Sequence, residues 1–223
     1  MSKAGTKKKS EVGKLVRETL DEHQGVMHTV PEGTKQYRCQ PKEYDDNPIN
    51  YRRESDTRYA HPNQEVGVYY LGFSEEVALA ESFQPGQGVD GQAVAVSKLE
   101  QSSLHRLETV RPLKLVDVGA LANRAGHHKL RDLVQAKGQG REGYKLTREL
   151  SGACMGLGQE IDGLLYTSAV YAKTGSIEGC NVVLFEGRKP HVKPIDHRPV
   201  MEVELATGET AVEFLESLGV VLE

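Results

Sequence analysis

The chain has 223 residues, of which 38% are hydrophobic and 27% are charged, as in an ordinary globular protein. Its net charge of -4 gives no support for nucleic-acid binding, because phosphate backbones attract basic surfaces. The sequence has no apolar run near the ~20 residues that a membrane span needs, so we expect no membrane association. Three isolated cysteines without a CxxC pair favour a reduced compartment, and we expect a cytoplasmic protein.

The N-terminal part divides into a basic tail and a helix. Residues 1–10 are small, polar and basic, a composition typical of segments without fixed structure. In residues 11–23, apolar side chains recur every three or four positions, which predicts an amphipathic helix. We therefore predict that residues 1–34 form a tail and a helix, and that residues 35–223 form one domain.

A polar segment follows a first strand, which we predict around Tyr37 to Cys39. Residues 41–62 are rich in Asp, Asn, Arg and Tyr and contain three prolines, which predicts a long surface loop. Loops beyond ~12–15 residues in a compact domain are usually functional or disordered. This loop carries Arg52, Arg53 and Arg58, so we expect it to contribute to function.

The segment from residue 66 to residue 83 is the most informative part of the sequence. Residues 66–71 are β-branched and aromatic and predict a strand. Ser74 then stands at a preferred N-cap position, ahead of a short helix. Glu81 lies on a largely apolar turn of that helix, where a carboxylate is either paired or functional.

Further elements follow from the hydrophobic pattern. Strands are predicted at residues 92–97, 113–118, 163–168, 181–185 and 200–205. Helices are predicted at residues 121–136, 145–155 and 210–218, and residues 190–199 as irregular. Because short strands alternate unevenly with helices, the pattern predicts an α+β fold rather than regular βαβ winding.

Five polar residues at the ends or edges of these elements are candidates for a site. They are Arg38, Arg58, Tyr70, Glu81 and Ser168. Taken singly, each is more often structural: a strand arginine usually forms a surface ion pair, a strand tyrosine packs, and a strand-end serine caps a turn. The case for a site therefore depends on their joint order in the chain.

That order resembles the RES-domain family, whose members are the toxins of bacterial RES–Xre toxin–antitoxin pairs. The resemblance spans about residues 35–187 and rests on Tyr37-Arg38, Arg58, Tyr70-Leu-Gly-x-Ser-x-x-x-Ala-Leu-Ala-Glu81, Asp162-Gly163-x-x-Tyr166-x-Ser168 and Asn181-Val-Val-Leu-Phe185. Two features depart from the family. The flanks of Arg58 are Thr57 and Tyr59-Ala60-His61, where the family commonly has Gly-Arg-Phe/Trp-Asn, and the segment 97–158 is longer.

The resemblance implies an ADP-ribosyltransferase-like fold, with two small sheets and flanking helices around an NAD cleft. It implies an enzyme that cleaves the nicotinamide–ribose bond of NAD by hydrolysis or phosphorolysis. NAD would be the substrate, with no cofactor and no metal. The expected partners are NAD and an Xre-like antitoxin.

The resemblance also implies roles for the five candidates. Glu81, Arg58 and Tyr70 would be catalytic, and Arg38, Arg58, Tyr70 and Ser168 would bind NAD. These residue types suit the chemistry, since arginine forks bind phosphate oxygens and a carboxylate stabilises an oxocarbenium-like centre. Tyr70 would stack on the nicotinamide ring or hold Glu81, and Ser168 would bond the nicotinamide ribose.

Two alternatives stay open. An ADP-ribosyltransferase that modifies a protein would share the NAD site and add a docking surface for its acceptor, for which residues 100–158 are a candidate. A non-catalytic module would instead keep the fold as a surface for binding a partner protein. The presence of Glu81 together with both arginines favours an enzyme over the latter.

Overall fold

The computed structural model describes residues 11–84, 93–125 and 143–223. The helices in these ranges are α1 (Glu11–Glu22), α2 (Glu75–Phe83), α3 (Val96–Glu100), α4 (Val118–Arg124), α5 (Lys145–Met155) and α6 (Ala211–Ser217). The strands are β1 (Met27–Val30), β2 (Lys35–Pro41), β3 (Val68–Gly72), β4 (Ser102–Thr109), β5 (Leu113–Asp117), β6 (Gly163–Thr167), β7 (Cys180–Phe185) and β8 (Val192–Pro199). This mixed architecture is consistent with the α+β class.

All eight strands belong to one sheet, in the order β1-β5-β6-β7-β3-β2-β4-β8. The prediction of two small sheets was therefore wrong in that form. The sheet nevertheless divides near its middle, because a single residue pair, Tyr37 with Gly72, joins β2 to β3. Beyond this pair the two strands diverge and leave a fork between the two halves of the sheet.

Two groups of helices pack on one face of the sheet, one on each side of the fork. Helices α1, α4 and α5 bury Val16, Leu121 and Leu150 against β6 and β7. Helices α2 and α6 bury Leu79 and Leu215 against β2 and β4. The opposite face forms a third cluster that the polar loop before β3 covers. The fork is thus open on the helical face, between the two groups of helices.

Most strands and long helices predicted from the sequence are confirmed, with shifts of a residue or two at their ends. Thr210 caps α6 in a capping box with Glu213, a motif that depends only on neighbouring residues in the sequence. The predicted helix at residues 121–136 instead begins at Val118 and ends at Arg124, and residues 126–142 lie outside the described ranges. Strands β1 and β4 were not predicted.

Three predictions near the sheet edge were wrong. Residues 192–199 form strand β8, although Pro194 and Pro199 favoured irregular structure; β8 is an edge strand, where a missing N–H can face solvent. Residues 200–202 form a 3-10 turn rather than the start of a strand. In the predicted strand at residues 92–97, the described part contains only an isolated bridge at Val94 and the start of α3.

The polar loop is more buried than the sequence predicted. Tyr59 and Ala60 are both 0% exposed. Helix α5 makes this burial possible, since Thr147 donates to the carbonyl of Arg58 at 2.7 Å and Ser151 to that of Tyr59 at 2.7 Å. Buried backbone carbonyls need such partners, and these partners are distant in sequence.

The N-terminal segment packs with the rest of the fold. Helix α1 buries Val12 and Val16, and β1 pairs with β5 at one edge of the sheet. Within the described ranges, every helix is too short or too polar to cross a lipid bilayer. The basic tail, residues 1–10, lies outside those ranges.

Candidate active site

The turn from β3 into α2 sets the geometry of the site. A Cβ on Gly72 would lie 3.0 Å from Val77 Cγ1 and 3.1 Å from Ala78 N, so glycine lets the helix approach the strand closely. The Ser74 hydroxyl accepts from Val77 N at 3.2 Å and donates to the carbonyl of Glu178 at 2.9 Å. The helix is thereby fixed at its N-terminus, and its last turn brings Glu81 to the fork.

The Glu81 carboxylate is held through one oxygen. Ser168 Oγ donates to Oε1 at 2.8 Å, and Asn181 Nδ2 donates to the same atom at 2.6 Å. Ser168 is 2% exposed and Asn181 4% exposed, whereas Glu81 itself is exposed. Oε2 accepts no hydrogen bond from the residues that the structure describes. Ser168 and Asn181 therefore fix the orientation of the carboxylate through Oε1, and Oε2 faces the fork.

The hydroxyl of Ser168 is fully used within the protein. Its oxygen accepts from Val170 N at 3.2 Å and from Tyr171 N at 3.0 Å, and its single proton goes to Glu81. No proton is left for a ligand in this arrangement. The structure thus places Ser168 as a partner of Glu81; direct contact with a ribose stays a prediction.

Arg38 reaches the fork from β2. Its Nη1 donates to the carbonyl oxygen of Tyr70 at 2.7 Å and its Nε to Gln40 Oε1 at 3.1 Å, while Cζ lies 4.8 Å from the ring centre of Tyr69. If the pairing of Tyr37 with Gly72 continued along the strands, Tyr70 would lie opposite β2. The strands diverge before that point, so the guanidinium binds a backbone carbonyl that has no partner on β2.

The charge of Arg38 is not neutralised by any residue that the structure describes. Among the described residues, no carboxylate forms an ion pair with it, and burial lowers the pKa of its guanidinium. A largely buried cation that has only neutral partners is costly, and an anionic ligand would offset this cost. The site could therefore accommodate a negatively charged group.

A pocket of about 200 Å³ opens between these two charged side chains. It is lined by Tyr37, Arg38, Cys39, Tyr70, Leu71, Gly72, Ala78, Glu81, Ser82, Tyr166 and Asn181. The structure thus brings together three of the five candidates in one pocket, with Ser168 behind the carboxylate. Within the described ranges, no three His, Cys, Asp or Glu side chains are arranged to hold a metal ion.

Tyr70 lines the pocket with its ring, while its hydroxyl is bound to the polar loop. The hydroxyl pairs with Thr57 Oγ1 at 2.7 Å and accepts from Tyr59 N at 3.1 Å. Burial raises the pKa of Tyr70 to about 12, so the phenol is neutral at physiological pH. The described hydrogen bonds do not join Tyr70 to Glu81, which leaves its ring as the part available to a ligand.

Arg58 lies just outside the pocket, on the same side of the sheet as Glu81. Its Cζ is 5.6 Å from the ring centre of Tyr144, and the ring of the next residue, Tyr59, lies 4.7 Å from that of Tyr166. Burial raises the pKa of Tyr166 well above its ordinary value, the charge of Glu81 raises it further, and that of Arg58 lowers it. Both charges therefore act on the phenol of Tyr166, which lines the pocket, whereas Arg58 does not.

A larger cavity of about 750 Å³ lies next to the pocket, with Tyr37 in the wall of both. Its cations are already paired with carboxylates, Arg198 with Glu75 at 2.5 Å and Lys173 with Glu178. The lining has five acidic and three basic side chains, so its net charge is negative and does not favour an anionic ligand. The smaller pocket, where Arg38 has no carboxylate partner among the described residues, is the better candidate for the active site.

Asn181 is a residue of the site that the sequence reasoning missed. It belonged to a recognised motif, but a neutral side chain at the start of an apolar strand gave no sign of function. The register of β7 supplies the reason, since Asn181 lies opposite Gly72 of β3 on one side and Tyr166 of β6 on the other. The role of Asn181 therefore follows from strand pairing, which the sequence alone does not give.

Comparison with known proteins identifies the family of the chain. The family model for the RES domain matches residues 35–208, more than half of the chain, and the chain therefore belongs to the RES-domain family. The family is associated with NAD-related toxin activity and with antitoxin partners. The curated proteins contain no match to the chain. The pocket and the groups that hold Glu81 all lie within the matched range.

Proposed function

We propose that the chain cleaves the bond between nicotinamide and ribose in NAD, with water or phosphate as the acceptor. The observation that carries this proposal is the opposition of two charges in one pocket. Glu81 presents an exposed carboxylate oxygen, and Arg38 presents a cation that has no carboxylate partner among the described residues. NAD has the matching charges, a cationic nicotinamide ring at the bond to be broken and an anionic pyrophosphate farther along the molecule.

The proposed reaction needs electrostatic stabilisation more than acid catalysis. As the bond from the ribose carbon to the nicotinamide nitrogen breaks, its electron pair neutralises the cationic ring, and positive charge develops on the ribose. Glu81 Oε2 would stabilise that charge from a fixed position, since Ser168 and Asn181 hold the other oxygen. The oxygen of water or phosphate then forms the new bond to the ribose carbon, and the proton that a water molecule loses on attack passes to the solvent.

The other candidates would bind and orient NAD. We propose that Arg38 contacts a phosphate oxygen through its remaining N–H groups and that Arg58 adds positive charge at the rim of the pocket. The ring of Tyr70 would pack against nicotinamide, because its hydroxyl is held by the loop. An Xre-like antitoxin is the partner that family membership favours.

Nicotinamide release from NAD tests the proposal directly. The purified protein is incubated with NAD and a metal chelator, with water alone, with added phosphate, or with cell lysate, and nicotinamide is measured by chromatography. We expect release without added metal, and the condition that accelerates it identifies the acceptor. Label transferred from adenylate-labelled NAD to a lysate protein would indicate ADP-ribosylation instead. Absence of nicotinamide under every condition would overturn the proposal.

Asn181→Ala is expected to lower kcat about tenfold, with a smaller change in KM. The substitution removes the shorter of the two hydrogen bonds to Glu81 Oε1, and bonds to charged groups contribute about 1.5–3 kcal/mol. Steady-state kinetics with NAD would measure the split. Asn63→Ala, at an exposed position just after the polar loop, is the matched control and should keep wild-type constants. An unchanged kcat in Asn181→Ala would show that Ser168 alone orients the carboxylate.

A further inference from the structure

Gln40 lies behind Arg38 and outside the lining of the pocket. The two residues are two positions apart on β2, so their side chains leave the same face of the sheet. Gln40 Oε1 accepts from Arg38 Nε at 3.1 Å, and its Nε2 donates to the carbonyl of Tyr44 at 3.4 Å. Both bonds require the same orientation of the carboxamide, and Gln40 is only 7% exposed.

Arg38 needs such support because its side chain leaves β2 on the face of the sheet opposite the helices. Its neighbour Cys39 packs in the cluster that contains helix α2, on the helical face of the sheet. Arg38 itself leaves β2 on the other face, where it meets the ring of Tyr69. The guanidinium must therefore pass through the fork to reach the pocket, and the described hydrogen bonds that hold it there go to Tyr70 and Gln40.

Both of these acceptors are neutral, and Asp45, which lies beside β4, is bound to other side chains. Asp45 Oδ2 accepts from Ser103 at 3.0 Å, and Asp45 Oδ1 lies 3.0 Å from His105 Nε2. A carboxylate at position 40 would accept the same hydrogen bond from Arg38, but it would also neutralise the guanidinium. A carboxamide fixes the direction of the side chain and leaves its charge for a ligand.

We infer that Gln40 is a positioning residue of the site, which holds Arg38 in the fork with its charge available for the pyrophosphate of NAD. This inference rests on the proposed function. It assigns Gln40 an electrostatic requirement in addition to a geometric one: an acceptor is needed here, and it must be uncharged. The substitution Gln40→Glu tests the charge requirement, because it keeps the size and the acceptor and adds a negative charge. It also loses the 3.4 Å bond from Nε2 to the carbonyl of Tyr44, a loss that Gln40→Met shares.

The experiment compares Gln40→Glu and Gln40→Met with wild type in NAD turnover and thermal unfolding. We expect Gln40→Glu to raise KM about tenfold or more, to change kcat less than about threefold, and to weaken the salt dependence of KM, with no fall in melting temperature. Gln40→Met, which loses the acceptor without adding charge, should raise KM by a smaller factor. Gln101→Glu adds the same charge at an exposed position after α3 and should match wild type.

The outcomes separate this inference from the proposed function. Active wild type together with an unchanged KM in Gln40→Glu would overturn the role of Gln40 alone. A fall in kcat and melting temperature shared equally by both variants would indicate a structural residue. If wild type does not consume NAD, the proposed function fails. Binding of inorganic pyrophosphate to wild type and Gln40→Glu, measured by calorimetry, then decides whether Gln40 maintains an anion site.

Discussion

Glu81→Gln is expected to lower the rate of nicotinamide release about 10²–10³-fold while NAD still binds. The amide keeps the size and shape of the side chain but removes the negative charge that faces the developing positive charge on the ribose. Its oxygen can still accept from Ser168 and Asn181, so the pocket should keep its form. The loss should therefore appear in kcat, measured by steady-state kinetics, with calorimetry reporting NAD binding close to that of wild type.

The control for this substitution is Glu100→Gln, at an exposed position on α3 that should have no effect. Intact turnover with a raised KM in Glu81→Gln would mean that the carboxylate positions the ligand, and the mechanism proposed above would be wrong. Expression in the host adds a second comparison. If Glu81→Gln stayed as toxic as wild type, a non-catalytic module that acts by binding a partner would be favoured.

The elements that the sequence predicted best are those with local signals. Ser74 caps α2 with its own hydroxyl, and the apolar spacing before Gly156 marks the whole of α5. The turn from β3 into α2 is encoded in the same way, since Gly72 and Ser74 act within a few residues of themselves. Each of these features depends on contacts that are short in sequence.

The features that were missed depend on contacts between distant segments. Tyr59 is buried because α5 supplies hydrogen bonds to the loop from about 90 positions away, such as the bond from Ser151 to its carbonyl. Strand β8 forms at the sheet edge despite its prolines because β4 pairs with it. The fork between β2 and β3 follows from the divergence of two strands after one pair, which no local pattern records. The ADP-ribosyltransferase-like arrangement stays a prediction.

The residues of the candidate site also differ in how far the sequence could identify them. The charged and aromatic residues Arg38, Tyr70 and Glu81 could be found from the sequence because a resemblance linked them, and the structure places them in one pocket. Asn181 and Gln40 are neutral, and their importance comes only from the charged group that each contacts. Asn181 meets Glu81 from 100 positions away, through pairing of β3, β6 and β7. Sequence spacing alone could not give that contact.

Arg38→Lys is expected to raise the KM for NAD about 10–100-fold, with a smaller effect on kcat. Lysine keeps the charge, but its ammonium cannot bind the carbonyl of Tyr70 and Gln40 Oε1 in the geometry of the guanidinium and also offer a fork to a phosphate. Each lost hydrogen bond to a charged group contributes about 1.5–3 kcal/mol, which sets the scale of the change.

Steady-state kinetics and calorimetry with NAD would measure this effect, and Arg124→Lys, at an exposed position near the end of α4, is the matched control. Comparison with Arg58→Lys adds a test of geometry. Arg58 does not line the pocket, so its replacement should raise KM less than that of Arg38. A larger effect at Arg58, or a wild-type KM in Arg38→Lys, would place the phosphate contact outside the fork. The unpaired charge of Arg38 would then need another explanation.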